Sequence, residues 1–266
     1  MYETIYHRPA SVAEAAALFA KGAESKYLAG GHTLIPVMKQ RLASPSDVID
    51  LGRIKELIGI ELSADALTIK AATTYFDVLQ SADAKKAIPA IVHLTSVLGD
   101  PAVRHRGTIG GSLANNDPAA DYPAAVLALG ATVKTNKRSI ASDDFFKGLF
   151  TTALADGEII TQVVFPTPAK AAYAKMRHPA SRFALTGVFV VKTKSGDVRA
   201  AATGASSNGV MRVPAIEAAL KANWSPGTLD SVKISADGLL TDIHGSSVYR
   251  ANLIKVMAQR AVAEAG

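Results

Sequence analysis

The residues best suited to chemistry are two adjacent-glycine pairs with polar flanks, Ala29-Gly30-Gly31-His32-Thr33-Leu34 and Thr108-Ile109-Gly110-Gly111-Ser112-Leu113-Ala114-Asn115-Asn116-Asp117. A glycine pair lets the main chain turn with positive φ and approach another group closely. Successive N–H groups in such a turn form a concavity that binds anions. One such segment would say little, whereas two in one domain point to a single large ligand with a diphosphate held from two sides. Thr108 and Ser112 add hydroxyls that suit phosphate oxygens. His32 is either a turn residue bonded to backbone or a neighbour of the ligand, and in neither case a proton-transfer catalyst. Asp117 before Pro118 reads as a helix N-cap with proline at the first helical position. Asn115, Asn116 and Asp121 cluster around that helix start, where the dipole favours Asp121; its carboxylate also suits ribose hydroxyls.

Other chemistries are excluded by what is missing. There is no G-x-G-x-x-G fingerprint of a dinucleotide-binding unit, no Walker A sequence, no H-E-x-x-H and no G-x-S-x-G. The six histidines are scattered, and no candidate metal set emerges. The chain has no cysteine, so it can form neither a disulfide nor a cysteine-held iron–sulfur cluster. Any cluster that exchanges electrons with it must sit on another subunit.

The elements that position these segments read as a mixed α+β arrangement. Ser11 and Glu14 form a capping box for a helix ending near Gly22. Residues 26–28 form a strand running into the first glycine segment, and 47–51 a second buried strand. Residues 57–62 and 66–71 form a hairpin, followed by helices at about 74–82, 88–98 and 118–129, the last two bracketing the second glycine segment. Strands follow at 131–135 and 158–165, and Pro166-Thr167-Pro168 is the best linker. A hairpin over 187–193 and 198–205 precedes helices near 213–222 and 246–264. Strands and helices interleave without a regular βαβ rhythm, which favours α+β over a doubly wound sheet.

Bulk properties fit an ordinary globular chain. Its 266 residues can bury a substantial core, and 48% apolar with 20% charged residues argues against wholesale disorder. Twenty-nine basic against 23 acidic residues leave +6, a mild preference for anionic ligands. The basic residues are scattered, so no nucleic-acid surface is expected. No apolar run could span a bilayer, and the N-terminus lacks a signal-peptide pattern, so a cytoplasmic protein is expected.

These segments carry a family resemblance. Ala29 to Pro36 is similar to the A-G-G-H/Q-S/T-L-I/L-P segment of the FAD-binding medium subunits of molybdenum hydroxylases, the carbon monoxide dehydrogenase and xanthine dehydrogenase family. Thr108 to Ala114, continued by Asp121-Tyr122-Pro123, resembles their second flavin segment. Gly157-Glu158-Ile159-Ile160-Thr161, Tyr173-Ala174-Lys175-Met176-Arg177 and Tyr249-Arg250 through Arg260-Ala261 resemble further family motifs, so the likeness runs along essentially the whole chain. It implies the two-lobed FAD-binding fold of the vanillyl-alcohol oxidase / p-cresol methylhydroxylase type with a smaller C-terminal α+β domain. The expected division is 1–168 for FAD (lobes about 1–55 and 56–168) and 169–266 for the C-terminal domain. The resemblance implies that Ala29, Gly30, Gly31, His32, Thr33, Leu34, Thr108, Ile109, Gly110, Gly111, Ser112, Asn115, Asp121, Ile160, Lys175 and Phe183 contact FAD. Both glycine pairs would hold the diphosphate, Asp121 would meet ribitol or ribose hydroxyls, and Lys175 would lie near the flavin or its phosphates. Phe183 falls where the family has an aromatic, often tyrosine, against the isoalloxazine; it keeps the π-face and lacks the hydroxyl. Arg182 departs from the acidic or small residue common before it.

The function implied is that of an electron-transfer subunit with no catalytic residue of its own. Its partners would be a large molybdopterin-binding subunit and a small 2Fe-2S subunit, in a dimer of heterotrimers. An alternative is a self-sufficient flavin oxidase or reductase, which would need a general acid or base over the flavin. A third is a scaffold that has lost flavin, against which the two intact glycine pairs argue.

Overall fold

In the computed structural model, which describes all 266 residues, the first lobe is built from β1 (Ile5–His7), α1 (Val12–Phe19), β2 (Ser25–Leu28), α2 (Leu34–Lys39) and β3 (Asp47–Asp50). Its three strands lie in the order β1-β3-β2, and both pairings are parallel. The helical crossovers that parallel strands require are α1 and α2, so this lobe does have a βαβαβ rhythm, compressed below what the sequence pattern revealed. The Ser11 hydroxyl accepts the Glu14 N–H at 3.1 Å, and the Glu14 carboxylate reaches back to the N–H of Ala10 at 2.7 Å. The helix stops at Phe19, earlier than the expected Gly22.

The second lobe starts with the hairpin β4 (Ile60–Leu62) and β5 (Ala66–Lys70). Helices α3 (Tyr75–Gln80), α4 (Ala82–Ala87), α5 (Pro89–Ser96), α6 (Pro101–Arg104), α7 (Ile109–Asn115) and α8 (Tyr122–Ala128) follow. Where one helix was expected at 74–82, Ser81 ends α3 and its hydroxyl caps α4 by accepting the Ala84 N–H. Next come β6 (Thr132–Thr135), β7 (Ser139–Ala141), the short α9 (Ser142–Phe145), the small hairpin β8 (Phe146–Gly148) with β9 (Thr151–Thr152), and β10 (Ile160–Pro166). The main sheet has the order β4-β5-β10-β6-β7.

The third unit is an antiparallel sheet of β11 (Lys170–Arg177), β12 (Ala184–Lys192), β13 (Val198–Thr203) and β14 (Met211–Arg212), backed by α10 (Pro214–Ala222) and the long α11 (Ser247–Ala265). β12 is buried along nearly its whole length, as a central strand covered on both faces must be. One face packs with α10 and α11 through Val188, Val190, Ile216, Ile254 and Met257. The other contributes Tyr173, Phe189, Val191 and Ala201 to the largest core, which also holds Ile109, Leu113, Tyr122 and Val163. Apolar burial therefore runs across the Pro166–Pro168 linker, and this is what fixes β11 beside α5 and the β12–β13 pair beside α8.

Candidate functional site

The second glycine segment does not form the expected open turn. It is the first turn of α7, where Thr108 is the N-cap and its hydroxyl accepts the Gly111 N–H at 3.1 Å. The Gly110 N–H donates to the Ala71 carbonyl at 2.9 Å. Both glycine donors are thus engaged inside the protein, and the pair serves close approach instead. A Cβ on Gly110 would stand 2.6 Å from the Ala71 Cβ, and one on Gly111 would stand 3.3 Å from the Ala29 Cβ. The two segments meet at that last point. A Cβ on Gly30 would likewise overlap the Arg106 carbonyl, 2.9 Å from the Gly107 Cα.

The first segment keeps its donors free. It leaves β2, passes through Gly31 at φ +78°, and enters α2 at Leu34. The N–H groups of Gly30, Gly31, His32 and Thr33 have no intramolecular acceptor. Four consecutive unpaired donors ending at a helix N-terminus make an anion-binding concavity. They open on a cavity of about 1080 Å³.

That cavity is lined by every candidate residue except Ile109, whose side chain is fully buried in the core beneath. Ala29, Gly30, Gly31, His32, Thr33 and Leu34 line one side; Thr108, Gly110, Gly111, Ser112 and Asn115 face them. Ile160 enters from the start of β10, Asp121 and Lys175 from the third side, and Phe183 from the β11–β12 connection. Phe183 is 55% exposed, in keeping with an aromatic face still available to a ligand. Arg182 also lines the cavity and holds a left-handed φ of +63°. Asn116 turns away: its left-handed φ of 44° ends α7, and its amide donates to the carbonyls of Gly148 and Thr151, pinning the β8–β9 hairpin.

Asp121 and Lys175 are already paired with each other. Lys175 Nζ lies 2.8 and 3.0 Å from the two carboxylate oxygens, with both side chains 2% exposed. The Tyr173 hydroxyl donates to the same carboxylate. Burial pushes the Asp121 carboxyl above its ordinary value, while Lys175, Tyr173 and Arg177 pull it back. Burial beside this anion also drives the Tyr173 phenol well up. The carboxylate expected to meet ribitol or ribose hydroxyls is thus already bonded by a lysine and a tyrosine from β11. The expected helix start is corrected. Asp117 accepts the Ala119 N–H at 2.8 Å in a local turn, and α8 begins only at Tyr122.

The structure adds wall residues that no motif marked. Tyr75 stacks on Tyr122 with centroids 5.3 Å apart, and burial raises its phenol to about 12 against an opposing hydrogen bond with Ser112. Tyr27, Leu51, Leu57, Leu98 and Val103 supply apolar wall. The remaining carboxylates have structural work. Asp100 caps α6, and Glu158 receives Arg138 at 3.0 Å, the Thr135 hydroxyl and the Ala155 N–H. Arg138 foremost holds the Glu158 carboxyl down at about 2. Each carboxylate lining the cavity therefore has a partner within the chain.

A large cavity with apolar walls, unpaired main-chain donors at one side and glycines where a Cβ would intrude fits FAD. Comparison with known proteins agrees. The model of the FAD binding domain in molybdopterin dehydrogenase matches residues 1–168. The nicotine 6-hydroxylase medium subunit of Paenarthrobacter nicotinovorans is 35% identical, covering 98% of this chain and 96% of that one. The carbon monoxide dehydrogenase medium chain of Afipia carboxidovorans is 34% identical over the same shares. A crystal structure of the cyanide-inactivated Cu,Mo carbon monoxide dehydrogenase superposes with a TM-score of 0.90 at 32% identity, covering 100% of this chain and 98% of that one. Quinoline 2-oxidoreductase from Pseudomonas putida 86 gives 0.87 at 28% identity, covering 99% and 96%. The α+β chain with its free donors and glycine-lined cavity therefore belongs to the FAD-binding medium subunits of the molybdenum hydroxylases, as an FAD-carrying oxidoreductase subunit.

Proposed function

We propose that FAD lies in the cavity between the two glycine segments, its diphosphate on the N–H groups of Gly30 to Thr33. The observation that carries this reading is the row of four unpaired donors facing a 1080 Å³ cavity. The close contact of Ala29 with Gly111 brings the second segment against the same ligand. Ala29, Leu34, Thr108, Ser112, Asn115 and Ile160 bound it, and Phe183 offers its exposed ring to the isoalloxazine. Ile109 supports from below without touching it. When bound, FAD supplies two-electron redox chemistry that the side chains cannot. The chain's own residues bind and orient it, exclude water through the apolar wall, and set the local charge through the Lys175–Asp121 pair.

The chain then acts as one station on an electron path. Having no cysteine, it receives electrons from a small 2Fe-2S subunit, which is reduced in turn by a large molybdopterin-binding subunit, and it passes them to an external acceptor. A dimer of such heterotrimers in the cytoplasm is the assembly we infer; no helix of the structure is long and apolar enough to cross a membrane. The unit division we assign is 1–168 for FAD and 169–266 for the C-terminal domain, with the core shared across the boundary. The test is to purify the chain with and without its partners. A flavin spectrum with no substrate turnover alone, and turnover restored on adding the partners, is the expected result. A colourless chain that FAD cannot reconstitute would overturn it.

A further inference from the structure

We propose that the small cleft at the open edge of β11, between α5 and α11, is a second ligand site built for a phosphate-class oxyanion, back to back with the FAD cavity across Lys175. Its volume is about 220 Å³, below the roughly 300–1,000 Å³ of pockets for organic ligands. It has room for a small ion or a single phosphate group. Its wall brings together His93 from α5, Lys175 and Arg177 from β11, and Arg260 and Glu264 from α11, over Met257.

The charges in this cleft are unbalanced. Four arginines of the chain, Arg138, Arg199, Arg212 and Arg250, each face a carboxylate, and Lys175 is taken by Asp121. Arg177 and Arg260 line the same cleft, both solvent-exposed, and neither forms an ion pair with Glu264 or another carboxylate. Two arginines on the wall of one small cleft give it an excess of positive charge that a bound anion would offset. Their planar forks of donors match the oxygens of a phosphate and bind it through paired charge-assisted hydrogen bonds. His93 lines the cleft from α5. Arg177 and Arg260 belong to the two C-terminal segments singled out in the sequence, of which the FAD cavity uses only Lys175.

Lys175 is the wall common to both cavities. Arg177 already acts on the Asp121 carboxylate from the cleft side, and an anion held by Arg177 offsets that influence. Binding in the cleft and the redox balance of bound FAD are therefore coupled, and the coupling is reciprocal. Negative charge added behind Lys175 disfavours the electron-rich reduced cofactor, so an oxyanion lowers its midpoint potential. The site stands on the cleft alone; the coupling rests on the FAD reading above.

The test uses the native FAD-loaded complex in phosphate-free buffer at constant ionic strength, titrated with inorganic phosphate by calorimetry and phosphorus NMR. Adenosine monophosphate, in a second titration, tells a free ion from a phosphate carried on a nucleotide. Saturable binding by either probe is expected, weakened tenfold or more in Arg177→Gln and in Arg260→Gln and partly kept in Arg260→Lys, with FAD content unchanged. Absence of saturable binding, or binding as tight as wild type in both glutamine variants, overturns the site. So does binding that vanishes by about 0.15 M salt, which marks an adventitious ion only, or a complex structure with a partner's carboxylate between the two arginines. A midpoint potential that phosphate lowers in the wild type and leaves unmoved in Arg177→Gln supports the coupling. A potential unmoved in both, with phosphate bound, overturns the coupling while leaving the site.

Discussion

Replacing Lys175 with methionine isolates the buried charge pair on which the cavity wall depends. The ammonium lies 2.8 and 3.0 Å from the two Asp121 oxygens, with both side chains almost sealed from solvent. A hydrogen bond to a charged group contributes about 1.5–3 kcal/mol. Two made by one ammonium are not independent, and breaking a buried pair by removing one partner costs about 3–5 kcal/mol. That is the expected loss for Lys175→Met at neutral pH. Its pH dependence has a definite sign. Burial already raises the folded-state carboxyl of Asp121 above its ordinary value, and Lys175 is the first-ranked influence opposing this. Without Lys175 the carboxyl rises further, so the folded state holds the proton more tightly than the unfolded chain does. The penalty is then small below the unfolded carboxyl's range and grows as pH rises through the folded value. Urea unfolding at a series of pH values, acid to neutral, measures this directly. The double variant Asp121→Asn/Lys175→Met removes the orphaned charge and should recover about half the loss or more, as a mutant cycle would report. A loss under about 1 kcal/mol, typical of an exposed pair, that is flat with pH and unrelieved in the double variant would refute the reasoning.

Other outcomes follow from the same geometry. Gly110→Ala places a Cβ 2.6 Å from the Ala71 Cβ and 2.7 Å from its backbone oxygen, so stability falls by about 1–3 kcal/mol from overpacking, seen as a lower melting temperature. Gly111→Val adds a Cβ that lies 3.0 Å from the Thr108 hydroxyl and 3.3 Å from the Ala29 Cβ. There FAD content, read from the flavin-to-protein absorbance ratio, should drop far more than melting temperature, and full FAD retention would contradict the placement of this segment. Glu158→Gln should flatten the acid limb of stability: the native carboxyl is held down at about 2, so its contribution is complete above the unfolded value and lost as pH falls toward 2. Acid titration followed by circular dichroism checks this. Phe183→Ala, at a ring 55% exposed, should change stability by no more than about 0.5 kcal/mol while shifting the bound flavin spectrum; an unaltered spectrum would place the ring elsewhere.

Local grammar was legible where neighbours in sequence are neighbours in space. Ser11 and Ser246 cap the helices that their positions announce, and the hairpins at 60–70 and 184–203 follow their alternation. Boundaries drifted where side chains redirect the backbone: Asp117 bonds two residues ahead instead of capping α8. The rhythm of the short parallel lobe escaped because β1, with three residues, and α2, with six, are too short for a periodic signal.

The site divides along the same line. Gly30 and Gly31 could be read directly, since their unpaired donors belong to four consecutive residues. Asp121 could be noticed, but its partners come from Tyr173 and Lys175, more than fifty positions away on a strand of the third unit. The second glycine pair misled for a related reason. Adjacent glycines are needed both where a chain must open toward a ligand and where two chain segments must touch. Only the opposing surface, here Ala71 and Ala29, decides between these uses. The pairs thus differ in kind: one offers donors, and the other lets the wall close in behind them. Exchanging the loads tests this division. Gly31→Ala strains a left-handed residue among the donors and should weaken FAD binding with modest loss of stability, whereas Gly110→Ala should reverse that order. Equal effects of the two substitutions on FAD affinity, measured by titration of the apoprotein, would show that the segments share one role after all.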